Sequence, residues 1–131
     1  MPEAAVLIGQ ADHVLFSEPG LRPHAGAAGP AGLAALRHRV PGAVLGVTAG
    51  PEGFHWLDDA GLHHLPAPRV AAVDTLGAGD VFHGAYALAL AEGAAVAAAA
   101  RFAVAAASAK CTRPGGRAGV PSRAEVAALL A

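Results

Sequence analysis

Asp74-Thr75-Leu76-Gly77-Ala78-Gly79-Asp80-Val81-Phe82-His83-Gly84 is the most informative segment of the chain. The residues just before it, Val70 to Val73, are apolar and partly β-branched, which predicts a short buried strand. Gly77-Ala78-Gly79 then supplies side chains small enough for backbone to approach a ligand closely. From Asp80 onward Val81, Phe82, Ala85, Leu88 and Ala89 recur at three- and four-residue steps, the spacing of a helix. A glycine-rich turn feeding a helix start aims several N–H groups at one point, and the helix dipole adds positive potential there. The prediction is an anion site. Asp80, in the first turn, would stand beside the anion as a carboxylate able to take a proton from an attacking hydroxyl. A plain glycine-rich helix cap needs fewer fixed residues than the two acids and two glycines present.

Downstream, two alanine-rich helices follow, residues 79–92 and 94–110, separated by a turn at Gly93. The first is apolar on almost every side, which predicts a helix buried in a layered fold. Glu92, Gly93 and Arg101 interrupt this stretch, and alanine is too weakly hydrophobic to carry it into a bilayer. Cys111 to Pro121 reads as a Gly/Pro loop, and Ser122 with Glu125 forms a capping box for a closing helix.

Upstream, Phe54–Leu57 and Leu62–Leu65 flank Asp58-Asp59-Ala60-Gly61 and predict a β-hairpin, with Trp56 packing one face. His63 and His64 are neighbours on a strand and point to opposite faces, so they do not share a metal ion. Ala43 to Thr48 is a continuous apolar run, as expected of a strand covered on both faces. Ala31 to Arg39 predicts a helix ended by Pro41-Gly42, residues 20–30 a loop, and Ser17-Glu18-Pro19-Gly20 a turn. His13 to Phe16 predicts a short strand and residues 3–10 a short helix.

Asp-Thr-x-Gly-Ala-Gly-Asp-x-Phe-x-Gly resembles the C-terminal signature of the ribokinase-like (PfkB) sugar and nucleoside kinases. The resemblance implies a three-layer α/β/α fold: the C-terminal portion of a mostly parallel sheet, with a hairpin and closing helices. It implies Asp80 as catalytic base, and the backbone of Gly77, Ala78, Gly79 and Asp80 as the anion hole for the transferred phosphoryl group. Thr48-Ala49-Gly50-Pro51-Glu52-Gly53 is similar to the family's Thr-x-Gly-x-x-Gly nucleotide loop and lies 27 residues before Gly77, in the family's order. Thr48, Gly50, Gly53, Gly77, Gly79 and Lys110 are thereby implied as contacts of ATP, used with Mg2+. The loop from Cys111 to Pro121 is implied to close around the adenine of ATP and to supply backbone carbonyls to a monovalent-cation site for K+, which Asp74, through its carboxylate, and Leu76, through its carbonyl, would complete. The family's Asn-x-x-Glu motif falls on Ser17 and Gly20 and is absent; Glu18 is the nearest carboxylate, and a solvent-facing turn residue is its plainer reading.

The chain has 131 residues, enough for one domain, with 54% hydrophobic and 15% charged residues. A net charge of −1 lacks the basic surface that nucleic acid requires. Cys111 is the only cysteine, so a reducing, cytoplasmic setting is expected. The resemblance runs from about Val14 to the last helix but covers only the C-terminal part of the family. Residues 1–131 are thus expected to be a single nucleotide-binding and catalytic portion, with the N-terminal half, the lid and most sugar contacts absent. Such a portion leaves a sheet edge open and calls for a homodimer partner or the missing half. Two functions follow as expectations: phosphoryl transfer from ATP to a hydroxyl of a small sugar, or a truncated, non-catalytic nucleotide-binding remnant. A dinucleotide-binding Rossmann unit is excluded, because no Gly-x-Gly-x-x-Gly opens a first βα unit.

Overall fold

A computed structural model describes residues 2–131, and the chain divides after His64 into two units, each with its own core. The first unit begins with α1 (Pro2–Gln10), β1 (His13–Ser17), α2 (Glu18–Ala25) and α3 (Gly29–Leu36). A 3₁₀ turn, Arg37–Arg39, leads to β2 (Val44–Thr48), and the hairpin strands are β3 (Phe54–Asp58) and β4 (Gly61–Leu65). The sheet order is β1-β2-β3-β4. β1 and β2 run parallel, from His13 opposite Val44 to Ser17 opposite Thr48, whereas β2 and β3 are antiparallel, with Thr48 opposite Phe54. The fold is therefore α/β with a mixed sheet.

The continuous apolar run of β2 has the predicted consequence: Leu45 and Val47 are fully buried. They join Val14, Phe16, Leu33 and Leu36 in one apolar cluster between strands and helices. Gly46 sits among them at a place where no side chain fits. A Cβ built there would lie 2.5 Å from Cζ of the buried Phe54 and 2.7 Å from Cδ2 of Leu15. Arg37 fastens the sheet from the side, donating to the carbonyls of Ala43 (2.6 Å) and Leu57 (3.1 Å).

Two local expectations fail in this unit, for one reason. Residues 17–20 are not a turn and residues 20–30 are not a loop, because both contain helix starts. Ser17 is the N-cap of α2 and its Oγ accepts the Gly20 N–H at 3.2 Å, while Pro19 occupies the first turn, where a missing N–H costs nothing. Gly26, at φ 75°, closes that helix by donating to the Arg22 carbonyl. Pro30 likewise occupies the first turn of α3, whose N-cap Ala28 makes no side-chain bond. Burial of Leu21 and Leu33 supplies the packing that the Pro/Gly punctuation concealed.

The second unit contains α4 (Ala78–Ala91), α5 (Val96–Cys111) and α6 (Arg123–Leu130). Gly93, at φ 90°, makes the turn between α4 and α5, as the sequence predicts. The α5 residues Ala99, Ala100 and Ala103 are fully buried, small side chains that let helices approach closely. Ala105, Ala106 and Val126 form the seam of α5 and α6. The capping box is complete: Ser122 Oγ accepts the Glu125 N–H and Glu125 Oε2 accepts the Ser122 N–H. α4 departs from expectation, since only Phe82, Tyr86 and Ala89 are buried and Leu88 is exposed. It is a helix with one packed face. The strand predicted at Val70–Val73 is also absent; Val73 is exposed, and the segment bonds to one helix-end carbonyl instead of a neighbouring strand. No helix among the described residues is long and apolar enough to cross a membrane.

Candidate active site

The N-terminus of α4 is built as the Gly77-Ala78-Gly79 sequence dictates. Gly77 is the N-cap and takes φ 78°, a left-handed backbone that favours glycine. This re-aims the chain so that the helix begins immediately after it. An α-helix leaves its first N–H groups without intrahelical acceptors. Here Ala78 donates to the Thr75 carbonyl (3.1 Å) and Val81 to the Gly77 carbonyl (2.9 Å). The N–H groups of Gly79 and Asp80 are left without a carbonyl partner among the described residues. A Cβ built on Gly79 meets nothing within 4 Å, so the space in front of this backbone is open. The Asp80 side chain is exposed and has no hydrogen-bond partner among the described residues. His83 reaches back one turn, its Nδ1 lying 2.7 Å from the Gly79 carbonyl. Two free N–H donors at a positive helix end, with an uncommitted carboxylate beside them, can hold an anion and accept a proton.

The segment leading into this turn is held by the end of α5 and the loop after it. The Cys111 carbonyl accepts from Val73 (2.7 Å) and Asp74 (3.2 Å). Asp74 Oδ1 accepts the Leu76 N–H at 2.9 Å, and Oδ2 accepts the Gly115 N–H at 3.0 Å. These two N–H groups hold its carboxyl below the usual carboxylate range, and the nearby Lys110 ammonium acts in the same direction. Lys110 is fully buried, and its Nζ donates to the Asp74 main-chain carbonyl at 2.8 Å. The same nitrogen stands 4.0 Å from Asp74 Oδ1. Sequence reasoning places Asp74, Leu76, Gly77, Gly79, Asp80 and Lys110 in the site, and all six lie on this loop, helix start and supporting lysine. The resemblance also implies backbone carbonyls of the Cys111–Pro121 loop, but it does not single out the Cys111 carbonyl or the Gly115 N–H, which act through backbone and carry no side-chain signal.

In the first unit, Thr48 ends β2 and its hydroxyl faces the Phe16 carbonyl (3.4 Å). Gly50 and Gly53 have φ values of 52° and 99°, and between them Glu52 closes a 3₁₀ turn onto the Ala49 carbonyl (3.0 Å). Glu18, in the first turn of α2, has Oε2 3.3 Å from the Gly29 N–H, which ties it to the start of α3. On the hairpin, His63 bonds Asp58 (2.9 Å) and stacks on Trp56, whereas His64 stacks on His55. The two neighbouring histidines thus lie on opposite faces.

The model of the pfkB family carbohydrate kinases matches residues 1–123. The chain belongs to that family. Bacillus subtilis ribokinase is 43% identical over 88 residues, which span 67% of this chain and 30% of that protein. The crystal structure of a candidate ribokinase from Agrobacterium tumefaciens superposes with a TM-score of 0.90 at 42% identity, over 95% of this chain and 42% of the other. Arabidopsis thaliana ribokinase, solved in complex with ribose and ATP, gives a TM-score of 0.85 at 27% identity, over 96% of this chain and 43% of the other. The family chain described here therefore spans less than half the length of these relatives. The α/β fold expected from the signature is the ribokinase fold.

Two ions implied by the family can be tested against the residues present. Magnesium is commonly held by substrate phosphates with one or two carboxylates rather than by a protein cage. Among the described residues no cluster of three or more His, Cys, Asp or Glu stands ready to hold a metal, and Asp80 is an uncommitted carboxylate at the anion turn. That donor set fits a magnesium brought with a nucleotide. At the monovalent-cation position a positive charge is already in place: the buried Lys110 ammonium donates to the Asp74 carbonyl and stands 4.0 Å from its carboxylate, which disfavours a second cation there.

Proposed function

We propose that this chain is the nucleotide-binding and catalytic portion of a cytoplasmic, ATP-dependent sugar kinase. The observation that carries the reading is the α4 N-terminus: free Gly79 and Asp80 N–H groups, open space before Gly79, and the uncommitted Asp80 carboxylate. The γ-phosphoryl group rests against the Gly77–Asp80 turn. A sugar hydroxyl oxygen attacks phosphorus in line, the bond to the β-phosphate oxygen breaks, ADP leaves, and Asp80 accepts the hydroxyl proton. Catalysis on this reading comes from positioning and charge stabilisation. Magnesium, when bound with the nucleotide, would neutralise phosphate charge. Thr48, Gly50 and Gly53 are assigned to nucleotide contact on the strength of the Thr-x-Gly-x-x-Gly pattern. Lys110 serves the site through its contact with Asp74 and not by touching phosphate. The sugar contacts are assigned to the N-terminal half of the family fold, supplied by further sequence or by a partner chain; the ribose and ATP bound to the Arabidopsis relative support the substrate class.

Calorimetric titration of magnesium–ATP into the chain tests the anion site, and saturable binding is expected. In any form of the protein that phosphorylates a sugar, Asp80→Asn is expected to lower turnover by about 10²- to 10⁴-fold, with ATP affinity nearly unchanged. Wild-type turnover in that variant would remove Asp80 from the mechanism. Binding by the chain with no turnover on a panel of pentoses and ketoses, even with the N-terminal half supplied, is the outcome of a non-catalytic remnant.

A further inference from the structure

We propose that the Lys110 ammonium takes the place of a monovalent cation behind the anion turn, so that no potassium ion binds at Asp74. The inference rests on reading Gly77–Asp80 as a phosphate site with Asp74 at its back. A lysine with no exposed surface must have its charge answered locally, since an isolated buried ammonium is very costly. Nζ answers it on one residue, 2.8 Å from the Asp74 main-chain oxygen and 4.0 Å from its carboxylate.

The surrounding loop is shaped to the lysine. A Cβ built on Gly119 would lie 3.2 Å from Lys110 Cε and 2.5 Å from the Gly115 carbonyl oxygen. The Gly115–Gly119 turn therefore closes on the lysine stem, and the Gly119 N–H donates to the Gly115 carbonyl at 3.2 Å. A potassium ion needs several oxygens turned toward a common centre. Here the Asp74 main-chain carbonyl accepts from the lysine, and the same ammonium stands 4.0 Å from the carboxylate oxygen Oδ1, so a second cation at this residue would meet like charge. A single positive charge is already in place, and its tether to α5 removes the association step that a free ion requires.

The test is thermal melting of the full chain in potassium, sodium and tetramethylammonium chloride at equal ionic strength, without nucleotide or sugar. A ligand that binds the native state raises Tm. The wild-type protein is expected to melt at the same temperature in all three salts. Lys110→Ala empties the position, and its Tm is expected to be lower and to rise selectively in potassium. A potassium-selective rise in the wild-type protein overturns the proposal, and so does a folded Lys110→Ala variant that ignores potassium. Should that variant fail to fold in every salt, the wild-type comparison decides alone. Because nothing in the test requires turnover or ATP, failure of the kinase reading leaves its result intact.

Discussion

Gly79→Ala separates what the anion turn does for the fold from what it does for a ligand. Gly79 lies in the first turn of α4, its φ is outside the left-handed region, and an added Cβ would meet nothing within 4 Å. The methyl group therefore displaces no protein atom, and it narrows the conformations open to the unfolded chain. Gly-to-Ala changes of this kind stabilise by about 0.4–1 kcal/mol. At this chain length that corresponds to a Tm increase of about 1–5 °C. The same methyl group projects into the space an anion must enter to reach the Gly79 and Asp80 N–H groups. Loss of close approach to those donors is expected to weaken magnesium–ATP by tenfold or more, about 1.4 kcal/mol. Two measurements on one sample decide the matter: a denaturant or thermal unfolding curve and a calorimetric titration. A stable variant with weakened binding is the expected pair. Unchanged ATP affinity would refute the placement of phosphate over Gly79, and a clear loss of stability would refute the open space on which the reasoning stands.

Gly46→Ala makes the identical chemical change where there is no room, with Phe54 and Leu15 atoms at 2.5–2.7 Å from the new Cβ. Overpacking of this kind costs about 1–3 kcal/mol, so the urea midpoint should fall clearly; a variant as stable as wild type would mean that β2 is packed otherwise. Tyr86 is the single tyrosine, 2% exposed, and burial pushes its phenol from 10.0 up to about 12. Its contribution to stability is full below the unfolded value and is lost as pH rises through about 12; phenolate absorbance appearing near pH 10 in the folded protein would contradict the burial of this ring.

The sequence is legible where local chemistry is self-sufficient. The hairpin at 54–65, the Gly93 turn and the Ser122–Glu125 cap each rest on residues a few positions apart, and each stands where predicted. Prediction fails where the deciding partner is distant. Pro19 and Pro30 read as turn punctuation, yet both serve helix starts, because Leu21 and Leu33 find a core to pack in. Val70–Val73 has strand-like residues but no strand to pair with, and its end bonds the Cys111 carbonyl. The apolar girth of α4 predicts burial on every side, whereas only the Phe82, Tyr86 and Ala89 face is covered.

Lys110 shows how a distant partner can still leave a trace. It lies 36 residues from Asp74, and the motif reading implies both at one site but no bond between them. Its position along α5, however, continues the stripe Ala99, Ala103, Ala106, which is buried throughout. Side chains at steps of three and four share one face of a helix. A lysine on such a stripe cannot reach water, so it must end on oxygen supplied by whatever packs over the last turn. The segment bonded to the last residue of α5 is the one carrying Asp74, through the Val73 and Asp74 N–H groups on the Cys111 carbonyl. The buried charge and the anion turn are therefore parts of one construction. The lysine fixes the backbone at Asp74, Asp74 fixes the N–H groups of Leu76 and Gly115, and Gly77 follows directly from that fixed segment into α4. The geometry of the anion turn is thus set from behind, by a buried lysine that reaches it only through Asp74.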